Sequence, residues 1–149
     1  MAHRLHHMGI TVSDTAAATA FYLAVTGGTA TGPLVKRGSA VDAVTGYPGI
    51  EVLLTFISLP GGDSVLELAE YRGGSGARLD PDNGTAGAAH PAIVVDDLDA
   101  TLARLREAGV RATSEPGVAT DGPLDGWRYV YLLGPDDVRV ELLEAPHGR

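Results

Sequence analysis

The chain repeats itself, and the two copies keep the same internal order. His7-Met8-Gly9-Ile10-Thr11-Val12-Ser13-Asp14 aligns with His90-Pro91-Ala92-Ile93-Val94-Val95-Asp96-Asp97, so that Ile10 falls on Ile93, Val12 on Val95 and Asp14 on Asp97. Further on, Leu59-Pro60-Gly61-Gly62-Asp63-Ser64-Val65-Leu66-Glu67-Leu68 lies over Leu133-Gly134-Pro135-Asp136-Asp137-Val138-Arg139-Val140-Glu141-Leu142, which sets Glu67 on Glu141. A fold for this chain must build one small unit twice.

Each aligned start reads as a strand that runs into a helix. The first helix is expected over residues 15–26, capped by Ser13 or Asp14 and followed by Gly27-Gly28; the second over 98–108, capped by Asp96 or Asp97 and ended by Gly109. Each aligned end reads as a hairpin, with strands over 52–59 and 65–68 around Pro60-Gly61-Gly62-Asp63, and over 127–133 and 138–143 around Gly134-Pro135-Asp136-Asp137. One further strand after each helix, near 29–35 and 110–113, completes strand, helix and three strands, twice. This is an α+β chain of two βαβββ modules, residues 5–71 and 90–145, within a single domain spanning 1–149. Residues 72–89, with Gly73-Gly74-Ser75-Gly76 and Pro81-Asp82-Asn83-Gly84, have the composition of a linker. Residues 37–49 and 115–126 read as irregular loops at matching places, where substrate contacts tend to sit.

Composition narrows the chemistry. With no cysteine among 149 residues, disulfides, thiolate metal sites and cysteine nucleophiles are excluded, leaving histidine and carboxylate as the strong metal ligands. A formal net charge of −8 argues against a nucleic-acid partner. No apolar run approaches the roughly 20 residues of a membrane helix, and the polar start lacks the pattern of a signal peptide, so the expected location is the cytoplasm.

Four residues stand out because they recur in register: His7 and His90 at the two first strands, Glu67 and Glu141 in the two last. Strand alternation puts His7 on one face with Gly9 and Thr11, and His90 with Ala92 and Val94, while Ile10, Val12, Ile93 and Val95 point the other way, toward the helices. Small residues beside the histidines leave room for something other than side chains. A carboxylate amid apolar strand residues costs several kcal/mol unless compensated, on the order of what one lost ion partner costs. Two imidazoles and two carboxylates make a four-ligand set for one divalent metal ion, suited to zinc, nickel, cobalt, manganese or iron. Blander readings compete: the glutamates facing solvent, or Glu141 paired with Arg139 two residues away on the same face. His3, His6 and His147 are expected at the surface, His6 turned opposite to His7. Glu70 and Glu144 also match across the repeat, but face away from the ligands toward solvent or a basic side chain.

With His-x-x-Ile-x-Val-x-Asp at both strand starts, and Val-Leu-Glu-Leu and Val-Glu-Leu-Leu at both ends, the sequence resembles the vicinal oxygen chelate superfamily, the glyoxalase, bleomycin-resistance and extradiol-dioxygenase group. The resemblance covers nearly the whole chain. It implies paired βαβββ modules curled into a U-shaped, partly open barrel around one metal, with His7, Glu67, His90 and Glu141 at the ligand positions of the glyoxalase I and methylmalonyl-CoA epimerase branches. The last turn departs from the usual Asp-Pro-Asp-Gly, a matter for that hairpin rather than for the metal.

The resemblance further implies a metal-dependent lyase or isomerase of the glyoxalase type. A small substrate with adjacent oxygens chelates the metal, and Glu67 or Glu141 acts as the catalytic base in abstracting a proton beside a carbonyl. The rival classes are an iron-dependent dioxygenase and a metal-independent protein that sequesters an antibiotic. A homodimer with sites completed across chains is also implied. Tyr47, Tyr71, Trp127, Arg128, Tyr129 and Arg139 are available to line a cleft.

Overall fold

The computed structural model describes residues 3–146, so His147 lies outside the described residues. The chain forms two compact units that divide between Arg78 and Leu79.

In the first unit the elements are β1 (Met8–Thr11), α1 (Thr15–Thr26), β2 (Thr29–Lys36), α2 (Ser39–Thr45), β3 (Glu51–Ser58) and β4 (Val65–Arg72). They form a sheet of order β1-β4-β3-β2, in which β1 runs parallel to β4 and the remaining pairs are antiparallel. The alanine-rich α1 is a good helix former. It starts where Asp14 accepts a hydrogen bond from Ala17 N at 3.0 Å and stops at Gly27, whose φ of 65° suits a residue without Cβ. Its buried Ala18, Tyr22 and Val25 lie over a sheet face that carries Ile10, Ile57, Leu66 and Leu68. Each such large side chain removed from water is worth about 1.5 to 3 kcal/mol.

The second unit repeats that plan with β5 (Ala92–Val94), α3 (Leu98–Glu107), β6 (Gly117–Val118), β7 (Arg128–Leu133) and β8 (Arg139–Glu144). Its sheet order is β5-β8-β7-β6, with β5 parallel to β8. Asp97 caps α3 by accepting from Ala100 N at 2.8 Å, and Arg104 and Arg106 lie in its last turn, favourably placed for the helix dipole. Leu98 and Leu105 of α3 are buried, as are Ile93, Val130, Leu132, Val140 and Leu142 of the sheet.

Three local expectations are corrected. Residues 37–49 are not wholly irregular: they contain α2, set between Gly38 and Gly46, with Val41 packed against Ile50, Val52 and Ala69. The strand expected over 110–113 shrinks to a single bridge between Ala112 and Leu132, and the edge strand forms later at Gly117–Val118. Pro116, which has no N–H to donate, stands between the two. Residue 72, at the start of the expected linker, still belongs to β4, where Arg72 pairs with Glu51. At the divergent turn, Asp136 and Asp137 both take positive φ, 58° and 62°, a region that glycine enters without strain.

Candidate metal and substrate site

The strand registers build the same small arrangement in each unit. Glu67 sits in β4 between Gly9 of β1 and Phe56 of β3; Glu141 sits in β8 between Ala92 of β5 and Tyr131 of β7. Each glutamate thus has a small neighbour on one side and an aromatic ring on the other. A Cβ placed on Gly9 would stand 3.6 Å from Glu67 Oε2, an ordinary contact distance, and the second unit has alanine at the matching position.

The histidines precede their strands rather than belonging to them. His7 lies just before β1, and His90 is separated from β5 by Pro91, whose carbonyl accepts from Glu141 N at 3.0 Å. Each histidine reaches the glutamate of its own unit: His7 Nε2 is 3.3 Å from Glu67 Oε2, and His90 Nε2 is 3.5 Å from Glu141 Oε2. Edge-to-face contacts with Phe56 and Tyr131 hold the two imidazoles. The carboxylates are 21% and 15% exposed, so the pairs can be reached by a ligand while remaining partly shielded from water.

These separations test whether a metal suits the residues. A direct hydrogen bond between imidazole and carboxylate would be about 2.7 to 3.2 Å, whereas two donors bound to one cation at about 2.0 to 2.2 Å stand roughly 3.0 to 3.5 Å apart. At 3.3 and 3.5 Å both pairs are compatible with two donors on one cation, and the donor chemistry is that of a borderline or hard dication. The residues fit such an ion. Among the described residues no three such groups are gathered where they could hold a metal ion, and each unit brings together one histidine and one glutamate.

Several neighbours refine the picture. Arg139 does not pair with Glu141; it lies 3.7 Å from Asp82, and the ion-pair alternative for Glu141 falls away. Tyr131 faces Glu141, and its hydroxyl is held in the protonated form by burial first, then by the carboxylate charge beside it. His6 is exposed as expected, but it is not turned away from His7: their Nδ1 atoms are 2.8 Å apart. Strand alternation does not apply there because β1 begins only at Met8. One of those two nitrogens carries the proton, and with His7 as donor its Nε2 lone pair is left for the site.

On the opposite face of each last strand, the matched glutamates Glu70 and Glu144 contact basic side chains, and also the helix starts, a role not evident in the sequence. Glu70 accepts from Thr15 N at 2.9 Å, from Thr15 Oγ1 at 2.6 Å and from Arg72 Nε at 2.7 Å. Glu144 accepts from Leu98 N at 3.1 Å and from Arg128 Nη1 at 2.9 Å. Arg128 is therefore committed away from the site, and Tyr47 and Tyr71 are partly exposed on the first unit. Trp127 and Tyr129 do line a cleft: with Thr120, Asp121 and Leu124 they wall a cavity of about 310 Å³ that reaches Glu141.

Residues 4–142 match the Glyoxalase/Bleomycin resistance protein/Dioxygenase superfamily, and the chain belongs to it. It is similar to 2-epi-5-epi-valiolone epimerase from an Actinomyces species, with 35% identity over 149 residues covering 97% of this chain and 80% of the relative. In fold it is similar to a glyoxalase family protein from Bacillus cereus, with a TM-score of 0.76, 22% identity and coverage of 95% of this chain and 93% of that one. A fosfomycin resistance protein, FosX from Listeria monocytogenes, solved with Mn(II) and sulfate, shares the fold at a TM-score of 0.61 and 17% identity, over 99% of this chain and 96% of that one.

Proposed function

We propose that this chain is a divalent-metal-dependent epimerase, inverting a carbon beside a carbonyl on a small substrate with neighbouring oxygens. The observation that carries the reading is the His–glutamate pair repeated in register, in a chain 35% identical to an epimerase. His7, Glu67, His90 and Glu141 would hold the metal, and the metal supplies Lewis-acid stabilisation of negative charge on a carbonyl oxygen.

The chain's own groups handle the proton. Inversion requires a proton to leave one face of a carbon and return to the other, and two carboxylates, Glu67 and Glu141, provide the two positions that this needs. Tyr131 stays protonated beside Glu141 and steadies that carboxylate's orientation. Phe56, with no hydroxyl, stands at the matching place beside Glu67. The functional unit in this reading is a homodimer.

The test is incubation of the metal-restored protein with 2-epi-5-epi-valiolone in D2O, followed by NMR for deuterium at the carbon beside the ketone. Exchange should depend on added divalent metal and fall at least 100-fold in Glu67→Gln or Glu141→Gln, the range expected for loss of a general base. Absence of exchange and of product with all five candidate metals would overturn the assignment.

A further inference from the structure

The two units are alike at their His–glutamate pairs and unlike immediately beside them. In the first, the sheet face next to Glu67 is filled: Val52, Leu54 and Ala69 pack with Ile50 and with Val41 from α2. In the second, the corresponding strand positions carry Trp127, Tyr129 and Leu143, which line a cavity instead of packing beneath an α-helix. The segment that matches α2 forms a loop instead. Backbone bonds from Ala119 N to Trp127 O (2.9 Å) and from Gly126 N to Ala119 O (2.8 Å) close that loop at its base. A 3-10 turn at Gly122–Leu124 shapes its tip. Thr120 and Asp121 are thereby placed on the wall of the cavity that reaches Glu141.

The chemistry of that wall is selective. Trp127 and Tyr129 offer aromatic faces, whose negative quadrupole suits the C–H face of a saturated ring. Gly117 lies opposite Tyr129, and a Cβ there would meet the tyrosine ring at 3.4 Å. Asp121 is acceptor-only and Thr120 both donates and accepts, and among the described residues neither has a protein partner. The ionisable groups on the wall are Asp121, Glu141 and Tyr129, with no Lys or Arg. A phosphate or carboxylate would meet repulsion, in a chain already at −8. A volume of about 310 Å³ is at the small end for ligand sites.

Resting on the epimerase reading, we propose that the loop carrying Thr120 and Asp121, together with Trp127, is the specificity element for the body of the substrate, and that this body is an uncharged, polyhydroxylated ring. Asp121 accepts from adjacent ring hydroxyls, Trp127 stacks on the ring's less polar face, and the carbonyl end is directed toward Glu141. The first unit contributes its ligands but no recognition surface of this kind.

Trp127 is the only tryptophan in the chain, so its fluorescence reports binding without any need for turnover. Three probes are titrated into the metal-restored protein: 2-epi-5-epi-valiolone, its phosphate ester, and 2-hydroxycyclohexanone, which keeps the neighbouring oxygens but lacks the other hydroxyls. The wild type should bind the neutral polyol at least tenfold more tightly than either of the others. Asp121→Asn should narrow the gap between the polyol and 2-hydroxycyclohexanone by on the order of tenfold, the effect of losing hydrogen bonds to a charged acceptor. Equal affinity for the polyol and 2-hydroxycyclohexanone, tighter binding of the phosphate ester, or an unchanged gap in Asp121→Asn would each overturn the proposal. Deuterium exchange is scored separately for the polyol and for saturating 2-hydroxycyclohexanone, so failure of the epimerase reading appears as polyol binding without exchange into either, and failure of the specificity proposal as exchange without polyol preference.

Discussion

Thr15 and Arg72 surround Glu70 with donors, and the consequence is a carboxyl whose pKa is about 2 instead of 4.5, with Thr15's hydroxyl the main cause and burial working against it. Because the folded value lies below the unfolded one, the stabilisation is complete above about pH 4.5 and is lost as pH falls toward 2. Such a shift corresponds to on the order of 2 to 3 kcal/mol at neutral pH. Glu70→Gln is therefore expected to lower stability by about 2 kcal/mol at pH 7, and the difference from wild type should close as pH approaches 2. Urea unfolding at a series of pH values measures this; a difference that stays constant from pH 7 to pH 2.5 would show that charge is not what Glu70 contributes.

The matching contact in the second unit anchors a whole helix. Glu144 is 3% exposed, satisfies Leu98 N at the start of α3 and binds Arg128, which Asp99 holds from the solvent side at 2.7 Å. Glu144→Ala should cost about 2 to 3 kcal/mol, since it leaves a buried N–H and a partly desolvated guanidinium short of an acceptor. Asp99→Ala, at an exposed and solvent-screened site, should cost distinctly less. Equal losses in thermal unfolding of the two variants would contradict this division. Elements of this kind were legible where local chemistry decides them: the caps narrow to Ser13 or Asp14 and Asp96 or Asp97, of which Asp14 and Asp97 serve, and β-rich runs around the turns mark β3, β4, β7 and β8. Helix α2 was not legible, because seven residues between two glycines carry little periodic signal and Val41 gains its meaning only from Ile50 and Ala69. At the site, the same contrast holds. The His–glutamate pairs could be read because each occurs twice in register. The Thr120–Asp121 wall could not, because the Ala119–Trp127 pairing repeats Lys36–Val52 of the first copy but leads into a loop where the first copy forms α2.

Across the molecule the arithmetic of ligands is the main constraint. Each unit pairs one imidazole with one carboxylate; the proposed metal site, with the three or more protein ligands usual for a catalytic zinc-type ion, would draw on one pair of each kind. Within one chain or between two chains are the available routes, and we favour the second, in which a two-fold dimer makes two equivalent sites. Mixing a His7→Ala chain with a Glu141→Gln chain separates them. If each site draws its first-unit pair from one chain and its second-unit pair from the other, every heterodimer has one site carrying both lesions and one site carrying none. Metal content and deuterium exchange, each low in either variant alone, should then recover on mixing, toward half the wild-type level per heterodimer. Sites built within single chains would leave one lesion in every site. A mixture whose subunit exchange is verified by mass-tagged chains, and which recovers neither metal nor exchange, would rule out the cross-chain arrangement.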